Sequence, residues 1–254
     1  MLQGASAIES GADVSASQCQ GTLERGQSGS LVHGIKVFRN RIAARINRVG
    51  LKDRDFSILS NDCWAEELYL DWGLPCKTPF RGLGMSATDF LRFVSDLPRY
   101  LHASLEFIPA SRHKIINRLR RDYGWPIGLL GGHLEIYFLY YHNEEDARRA
   151  WEEGCRSINP QRIAIKFTVD KDGSVPQYAE QFSRLPFERK LLLTKLDYPE
   201  IPCAVRVSRY VTDGALMFRR SLRDFDCTHW LNTGEIRRRT WRVFLNRLLY
   251  FRGV

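Results

Sequence analysis

Short runs of β-favouring residues alternate with amphipathic helical stretches along this chain, and that alternation constrains the fold more than any other feature. The first unit is a β-like run at residues 56–60, followed by the polar turn Asn61-Asp62 and a helical pattern that begins at Cys63. Further strands are predicted at residues 105–108, 134–141, 163–167, 191–194 and 203–207. Further helices are predicted at residues 87–101, 144–155, 178–185, 225–231 and 237–250.

Strands that alternate with helices are typical of an α/β fold, in which helices cover a mainly parallel or mixed sheet. The hydrophobic content of 44% is sufficient to bury a large core in a chain of 254 residues. Residues 1–30 are rich in Gly, Ser, Ala and Gln and have few large apolar side chains, which predicts a disordered tail. We therefore expect a single three-layer α/β domain over residues 31–254, with the segment at 134–141 as a central strand.

A basic amphipathic helix is predicted at the start of this domain. Apolar residues recur there at helical spacing, and basic residues surround them. The apolar set is Ile35, Phe38, Ile42, Ile46 and Val49, and the basic set is Lys36, Arg39, Arg41, Arg45 and Arg48. Such a helix either lies on an anionic membrane surface or packs on the domain with a solvated basic face.

The net charge of +9 suggests an anionic partner such as nucleic acid, a membrane surface or an acidic substrate. The sequence lacks the usual nucleic-acid-binding motifs, so we do not expect a nucleic-acid partner. It also has no apolar run of the roughly 20 residues that a membrane-spanning helix requires, and no signal-peptide pattern. These features predict a cytoplasmic protein that can contact the inner membrane peripherally.

The cysteines are widely spaced, without a C-x-x-C pair, which predicts reduced thiols and no structural metal. They are Cys19, Cys63, Cys76, Cys155, Cys203 and Cys227. Cys63 is the best candidate for chemistry, because a predicted helix N-terminus stabilises a thiolate there. Two other interpretations stay open: the same helix amides bind an anionic ligand, or Cys63 is a small buried hydrophobic residue.

A nucleophilic thiol needs a base, and the segment that follows a glycine-rich turn offers one. Strand alternation would place His133, Glu135 and Tyr137 on one face, with Glu135 as the preferred carboxylate. His102 and His229 are the other histidine candidates. The alternative is that Glu135 pairs with a buried arginine and that His133 caps a loop.

Several neighbouring residues are candidates for substrate binding, each with a structural alternative. Asn61 and Asp62 either contact substrate or cap the helix. Gly128 and Gly131, with Gly132, either allow close approach of a ligand or form a tight turn. Trp64, with Trp72 and Trp125, either stacks on a sugar ring or packs in the core. No cofactor is indicated by these patterns.

Four separated segments resemble, in the same order, the bacterial proteins grouped as domain of unknown function 1919. The segments are FSILSNDCWAEELYLDWGLPCKTPFRGLG, WPIGLLGGHLEIYFLYYHNEEDARRAW, LPFERKLLLTK and FDCTHWLN. Members of this family are commonly described as exopolysaccharide or capsule biosynthesis proteins, and sometimes as acyltransferases. The resemblance implies an α/β fold and a role in surface-polysaccharide assembly.

These observations lead to one main functional hypothesis and two alternatives. The main hypothesis is a transferase that adds an acyl or similar group to a sugar or polysaccharide precursor. The first alternative is a glycosyltransferase with its site at the strand ends, which nucleotide-sugar binding would distinguish. The second is a non-enzymatic assembly factor that binds a glycan or an anionic membrane through its basic helices, which vesicle flotation would distinguish.

Overall fold

The computed structural model describes residues 31–172 and 176–250, and the tail predicted to be disordered lies outside them. Seven strands are present in the described residues: β1 (Ser57–Ser60), β2 (Leu105–Ile108), β3 (Ile127–Leu130), β4 (Leu134–Tyr137), β5 (Ile163–Thr168), β6 (Arg189–Thr194) and β7 (Ala204–Arg206). The same residues form ten α-helices: α1 (Leu31–Val49), α2 (Trp64–Trp72), α3 (Ala87–Ser95), α4 (Leu97–Leu101), α5 (Lys114–Tyr123), α6 (Glu144–Arg156), α7 (Pro176–Ser183), α8 (Gly214–Ser221), α9 (Cys227–Thr233) and α10 (Trp241–Leu249). A short 3₁₀ helix covers Val169–Asp172.

Two sheets organise these elements. The main sheet has the order β1-β5-β6-β7 and all of its strands are parallel, with Leu59 opposite Ile165 and Phe167 opposite Leu192. The small sheet, β2-β3-β4, is antiparallel. The predicted α/β fold with a mainly parallel or mixed sheet covered by helices is therefore confirmed.

Alternate residues of the main sheet point into two separate cores. Leu59, Ile165 and Leu192 face the first core, which contains side chains of α3, α4, α6, α7 and the small sheet. Ile58, Ala164 and Leu191 face the second core, which contains side chains of α1, α2, α8 and α9. Side chains alternate across a strand, so one parallel sheet separates the two cores and gives the three layers that were predicted.

Some elements differ from the predictions. The helix predicted at 87–101 is interrupted at Asp96, because Pro98 lacks the backbone N–H that a continuous helix would use. The strand predicted at 134–141 ends at Tyr137, and it is an edge strand of the small sheet rather than a central strand. Two helices, α5 and α8, and the strand β3 were not predicted.

Helix α1 occupies the segment where the basic helix was predicted, but its apolar stripe is only partly covered, since Ile42 and Ile46 are half-buried. The buried side chains are Ala43, Ala44 and Asn47, whereas Phe38 and Val49 are more than 60% exposed. Small side chains let α1 approach its neighbours closely. No helix within the described ranges is long and apolar enough to cross a membrane.

Candidate functional site

A cleft opens at the carboxyl end of β1, where the chain turns into α2. Its volume is about 680 Å³. The lining residues come from α2, the loops after it and after β4, and α6: Cys63, Glu66, Glu67, Leu70, Arg81, Gly82, Tyr140, Tyr141, Asp146, Arg149, Ala150 and Glu153. In open parallel sheets, ligands bind outside the carboxyl ends of the strands, so this cleft lies where a site is expected.

The turn beneath the cleft is fixed by a buried ion pair. Lys166, which is fully buried in β5, donates from Nζ to both carboxylate oxygens of Asp62, at 2.6 and 2.5 Å. Thr168 donates to the same carboxylate at 2.8 Å, and the backbone N–H of Trp64 donates to it at 3.0 Å. The side chain of Asp62 therefore satisfies the N–H of the first residue of α2, and the charge pair has the additional hydrogen bonds that burial requires.

Asn61 holds the same turn from the other side. Its side-chain amide donates to the carbonyl of Thr168 at 3.1 Å and accepts from the N–H of Thr168 at 3.0 Å. These two contacts attach the turn to the end of β5. Asp62 thus bonds the start of the helix, as the capping interpretation proposed, whereas Asn61 contacts β5 and does not cap the helix.

A second helix N-terminus reaches the turn. A Cβ added at Gly214, the first residue of α8, would lie 2.8 Å from the backbone nitrogen of Cys63 and 3.0 Å from Asp62 Cγ. Only glycine fits this approach without displacement of the turn. Asp213 caps α8 by accepting from the N–H of Leu216 at 2.8 Å.

Cys63 lies at the N-cap of α2, with 6% of its surface exposed. Its Sγ is 3.9 Å from the hydroxyl oxygen of Tyr140. Tyr140 packs closely over Gly82, whose φ of +64° and missing Cβ allow the contact, since a Cβ there would lie 2.7 Å from the Tyr140 ring. The thiol and the phenol are therefore brought together by the backbone of the loop after α2.

Two carboxyl groups follow Cys63 on the same face of α2. Glu66 accepts a hydrogen bond from the N–H of Gly82 at 3.0 Å and lies 3.9 Å from Arg81 Nε. Burial raises the pKa of Glu66, although that hydrogen bond and Arg81 oppose the shift. Burial also raises the pKa of Glu67, against the charge of Arg219. A raised pKa favours the protonated form of a carboxyl group, which is the form that donates a proton.

Glu135 and Tyr137 are not lining residues of this cleft. Glu135 is 2% exposed and accepts hydrogen bonds from the hydroxyl of Ser111, the N–H of Arg112 at 2.8 Å and the hydroxyl of Tyr137 at 3.3 Å. Arg112 also pairs with the buried carboxylate of Asp89. Glu135 therefore ties the loop after β2 to β4, and burial with the nearby Glu135 raises the pKa of Tyr137.

His133 does not line the cleft either. Its Nε2 lies 2.7 Å from the hydroxyl of Tyr100, and its Nδ1 lies 2.7 Å from the carbonyl of Gly131. The ring therefore bridges α4 and the turn between β3 and β4. The structure brings Glu135 and Tyr137 together as the alternation predicts, but it places the ring of His133 against other partners.

The remaining candidates have packing roles. Gly131 has a φ of +59° in the turn between β3 and β4, and Gly128 lets Leu105 and Phe138 pack against β3. Trp64 is fully buried and donates from its indole N–H to Ser221 at 3.0 Å. Its ring is therefore part of the core. Within the described residues, no group of three or more His, Cys, Asp or Glu side chains is placed to hold a metal ion.

Of the residues that line the cleft, only Cys63 was a candidate from the sequence, and the missed residues include Glu66, Arg81 and Tyr140. Glu66 could have been predicted, because it follows Cys63 by three positions and therefore lies on the same face of the helix. Arg81 and Tyr140 come from loops that are distant in sequence. A tertiary contact joins them, in which Gly84 and Tyr137 exchange two backbone hydrogen bonds of 2.9 Å.

Comparison with known proteins connects this site to a family. The profile described as Domain of unknown function (DUF1919) matches residues 34–232, which run from α1 to α9. The chain belongs to this family. An uncharacterized protein of Haemophilus influenzae is 27% identical over 175 residues, which are 69% of this chain and 77% of the relative. The DUF1919 region contains the whole Cys63 cleft, whereas α10 follows it.

Proposed function

We propose that this DUF1919 protein is a transferase that carries an acyl or similar group through Cys63 onto a sugar of a surface polysaccharide. The single observation that carries the proposal is the position of Cys63. Its thiol lies at the N-terminus of α2, at the edge of an open cleft, beside a tyrosine hydroxyl and one helix turn from a carboxyl group of raised pKa. The resemblance to polysaccharide biosynthesis proteins supports the substrate class.

The helix favours a thiolate at this position. The aligned peptide dipoles of α2 give its N-terminus a partial positive charge, which stabilises an anion at Cys63. The carboxylate of Asp62 opposes this effect, but its charge is balanced by the ammonium group of Lys166. Arg81, in the cleft wall, adds a further positive charge near the carboxyl group of Glu66.

The proposed reaction has two steps. In the first, the sulfur of Cys63 forms a bond to the acyl carbon, the bond from that carbon to the donor's leaving atom breaks, and the leaving group departs with the thiol proton. In the second, a sugar hydroxyl oxygen forms a bond to the acyl carbon, the C–S bond breaks, and the hydroxyl proton returns to sulfur. Glu66 is suited to relay these protons, because burial favours its protonated form.

The cleft suits a sugar acceptor. Its lining includes the carboxyl groups of Glu67, Asp146 and Glu153, the guanidinium group of Arg149 and the phenol of Tyr141. Hydroxyl groups of a sugar donate to carboxylates and accept from guanidinium groups, so convergent groups of this kind bind carbohydrates through directed hydrogen bonds. An anionic ligand at the α2 N-terminus is less favoured, since the carboxylate of Asp62 already accepts from the N–H of Trp64.

The thiol's reactivity tests the proposal. We would label the folded protein with iodoacetamide as a function of pH and measure each cysteine by mass spectrometry. Burial raises the pKa of Cys76 to about 11 and that of Cys155 to about 12, so these two thiols serve as slow internal references. We expect rapid labelling of Cys63 at pH values below roughly 8.5, which is the pKa of an ordinary thiol. If Cys63 is labelled as slowly as Cys155, it is not an activated nucleophile.

A covalent intermediate provides the second test. The protein is incubated with short-chain acyl thioesters, and its intact mass is measured before and after hydroxylamine treatment, which cleaves thioesters. One acyl group should be added to the wild-type chain and to Cys155→Ala, but none to Cys63→Ala. Acylation that persists in Cys63→Ala would place the chemistry elsewhere.

A further inference from the structure

Two helices of the outer layer expose large apolar side chains. In α1, Ile35 is 48% exposed and Phe38 is 64% exposed. In α10, Trp241, Phe244 and Leu248 are 50 to 62% exposed. Within each helix these residues are three or four positions apart, so they form a stripe on one side of the helix. We call these five residues the apolar face.

The apolar face is one surface because the two helices lie side by side and antiparallel. Asn47 of α1 donates from Nδ2 to Oδ1 of Asn246 in α10 at 2.8 Å, and both residues are buried. Nearer the start of α1, Arg39 donates to the carbonyl of Leu248 near the end of α10. Asn47 and Asn246 are buried where the two helices meet, and the exposed stripes lie on the solvent side of the same helix pair.

The surroundings of the apolar face are strongly basic. Residues 31–49 and 236–250 contain no Asp or Glu. They contain ten Lys and Arg residues: Lys36, Arg39, Arg41, Arg45, Arg48, Arg237, Arg238, Arg239, Arg242 and Arg247. An amphipathic surface with apolar and aromatic side chains beside many arginines matches the composition of helices that lie in a membrane interface.

A groove beside α1 concentrates this charge. Its volume is about 430 Å³, and Arg41, Arg45, Arg48 and Arg54 line it together with Asp71. None of these four arginines forms an ion pair with a carboxylate of the described residues. Asp71 instead accepts from the hydroxyl of Tyr250 at 2.7 Å and lies 3.8 Å from Arg219. The groove therefore has guanidinium groups available for an anion.

We propose that the apolar face docks on an anionic lipid membrane, with the arginine groove taking phosphates of the lipid head groups. A second copy of the chain fits the face less well, because two surfaces of the same strong positive charge would meet. Nucleic acid would leave the exposed Phe and Leu side chains without apolar partners. The inference is independent of transfer at Cys63, although Leu70 lines both the groove and the Cys63 cleft.

The protein carries its own reporter for this docking. Of its six tryptophans, Trp64, Trp72, Trp125, Trp151 and Trp230 are buried, and only Trp241 is exposed. The fluorescence of the full chain is measured with vesicles of phosphatidylcholine and with vesicles that also contain phosphatidylglycerol. A blue shift with the anionic vesicles alone is expected, with quenching by brominated lipid tails, and the shift should be absent from Trp241→Phe.

Matched variants separate the two parts of the surface. A triple variant should bind anionic vesicles about tenfold more weakly or worse, because each basic side chain adds to binding at an anionic surface. Its substitutions are Arg41→Gln, Arg45→Gln and Arg48→Gln. A control removes the same charge from the opposite layer, with Arg92→Gln, Arg121→Gln and Arg184→Gln, and should bind like wild type. Phe244→Ser should weaken binding without changing its salt dependence.

Three outcomes would overturn the proposal. Equal binding to neutral and anionic vesicles would contradict a specific electrostatic contact. An equal loss of vesicle binding in the two triple arginine variants would contradict it as well. A Trp241 emission that is already blue-shifted without vesicles would mean that another part of the chain covers the face. A sedimentation coefficient that rises with protein concentration and falls in Phe244→Ser would assign the face to a second copy.

Discussion

The ammonium group of Lys166 lies 2.5 Å from a carboxylate oxygen of Asp62, and both side chains are almost completely excluded from solvent. The pair joins the central strand β5 to the turn that presents Cys63. Moving a charge pair out of water is unfavourable, so such a pair persists only where further hydrogen bonds satisfy it, as Thr168 and the Trp64 N–H do here. The candidate site therefore rests on a rigid polar support.

Loss of one member of this pair should strongly destabilise the protein. Lys166→Met leaves the carboxylate of Asp62 buried without its counter-charge, and we expect the free energy of unfolding to fall by about 3–5 kcal/mol. Urea denaturation followed by circular dichroism measures the change. Arg184→Gln breaks the exposed pair with Glu180 and should cost less than about 1 kcal/mol. Similar losses in the two variants would contradict a supporting role for Lys166.

The fold was predictable where the pattern along the chain is local. The strands β1, β5 and β6 are short apolar runs between helical stretches, and each is present close to its predicted position. The strand β3 was missed because it contains Gly128, which weakens a strand signal. The edge position of β4 follows from its pairing with β3 alone among the strands of the described residues, and periodicity carries no information about which strands pair.

Gly214 should be intolerant of a side chain. In Gly214→Ala the new Cβ would lie 2.8 Å from the backbone nitrogen of Cys63, so we expect an overpacking penalty of about 1–3 kcal/mol. Gly34→Ala is the matched control, since nothing lies within 4 Å of its added Cβ, and it should be neutral or stabilising by up to about 1 kcal/mol. Thermal denaturation compares the two, and equal melting temperatures would argue against the close contact.

The candidate site was predictable only in part. The turn at Cys63 is a local strand-turn-helix feature, so its nucleophile candidate could be identified from the sequence. Its surroundings depend on the contact between Gly84 and Tyr137, which brings the Arg81 loop and Tyr140 together. A lone lysine within the apolar strand IAIKFT was the available signal for the buried pair, because a buried lysine requires a carboxylate partner.

The carboxyl group of Glu66 should make stability depend on pH in a defined direction. Burial raises its folded-state pKa above 4.5, the value of an unperturbed glutamate. The stability that this group contributes is therefore fully present below about 4.5 and is lost as the pH rises through the folded-state pKa. Wild type should therefore lose stability relative to Glu66→Gln between pH 4.5 and neutrality. Urea denaturation across this range measures the difference.

The opposite sign is expected at Glu235. A hydrogen bond with His229, and the charge and hydrogen bond of Arg237, lower the pKa of Glu235 below 4.5. Its contribution is present above that value and is lost as the pH falls through the lower, folded-state value. Relative to Glu235→Gln, wild type should therefore lose stability toward acidic pH, by a small amount because the group is exposed. The same direction of change in both pairs of proteins would show that the environment of one of these two carboxyl groups is not as described.

Glu135→Gln should separate a structural role from a catalytic one. The neutral amide keeps one acceptor oxygen, but its NH₂ group faces donors from Ser111, Arg112 or Tyr137, so buried donors lose their partner at a cost of about 1–3 kcal/mol. Hydrogen exchange should therefore increase in the loop after β2. The labelling rate of Cys63 by iodoacetamide should stay at the wild-type value, because Glu135 does not line the cleft. A Cys63 rate that fell in Glu135→Gln, with exchange in the loop unchanged, would return Glu135 to the catalytic group that the sequence suggested.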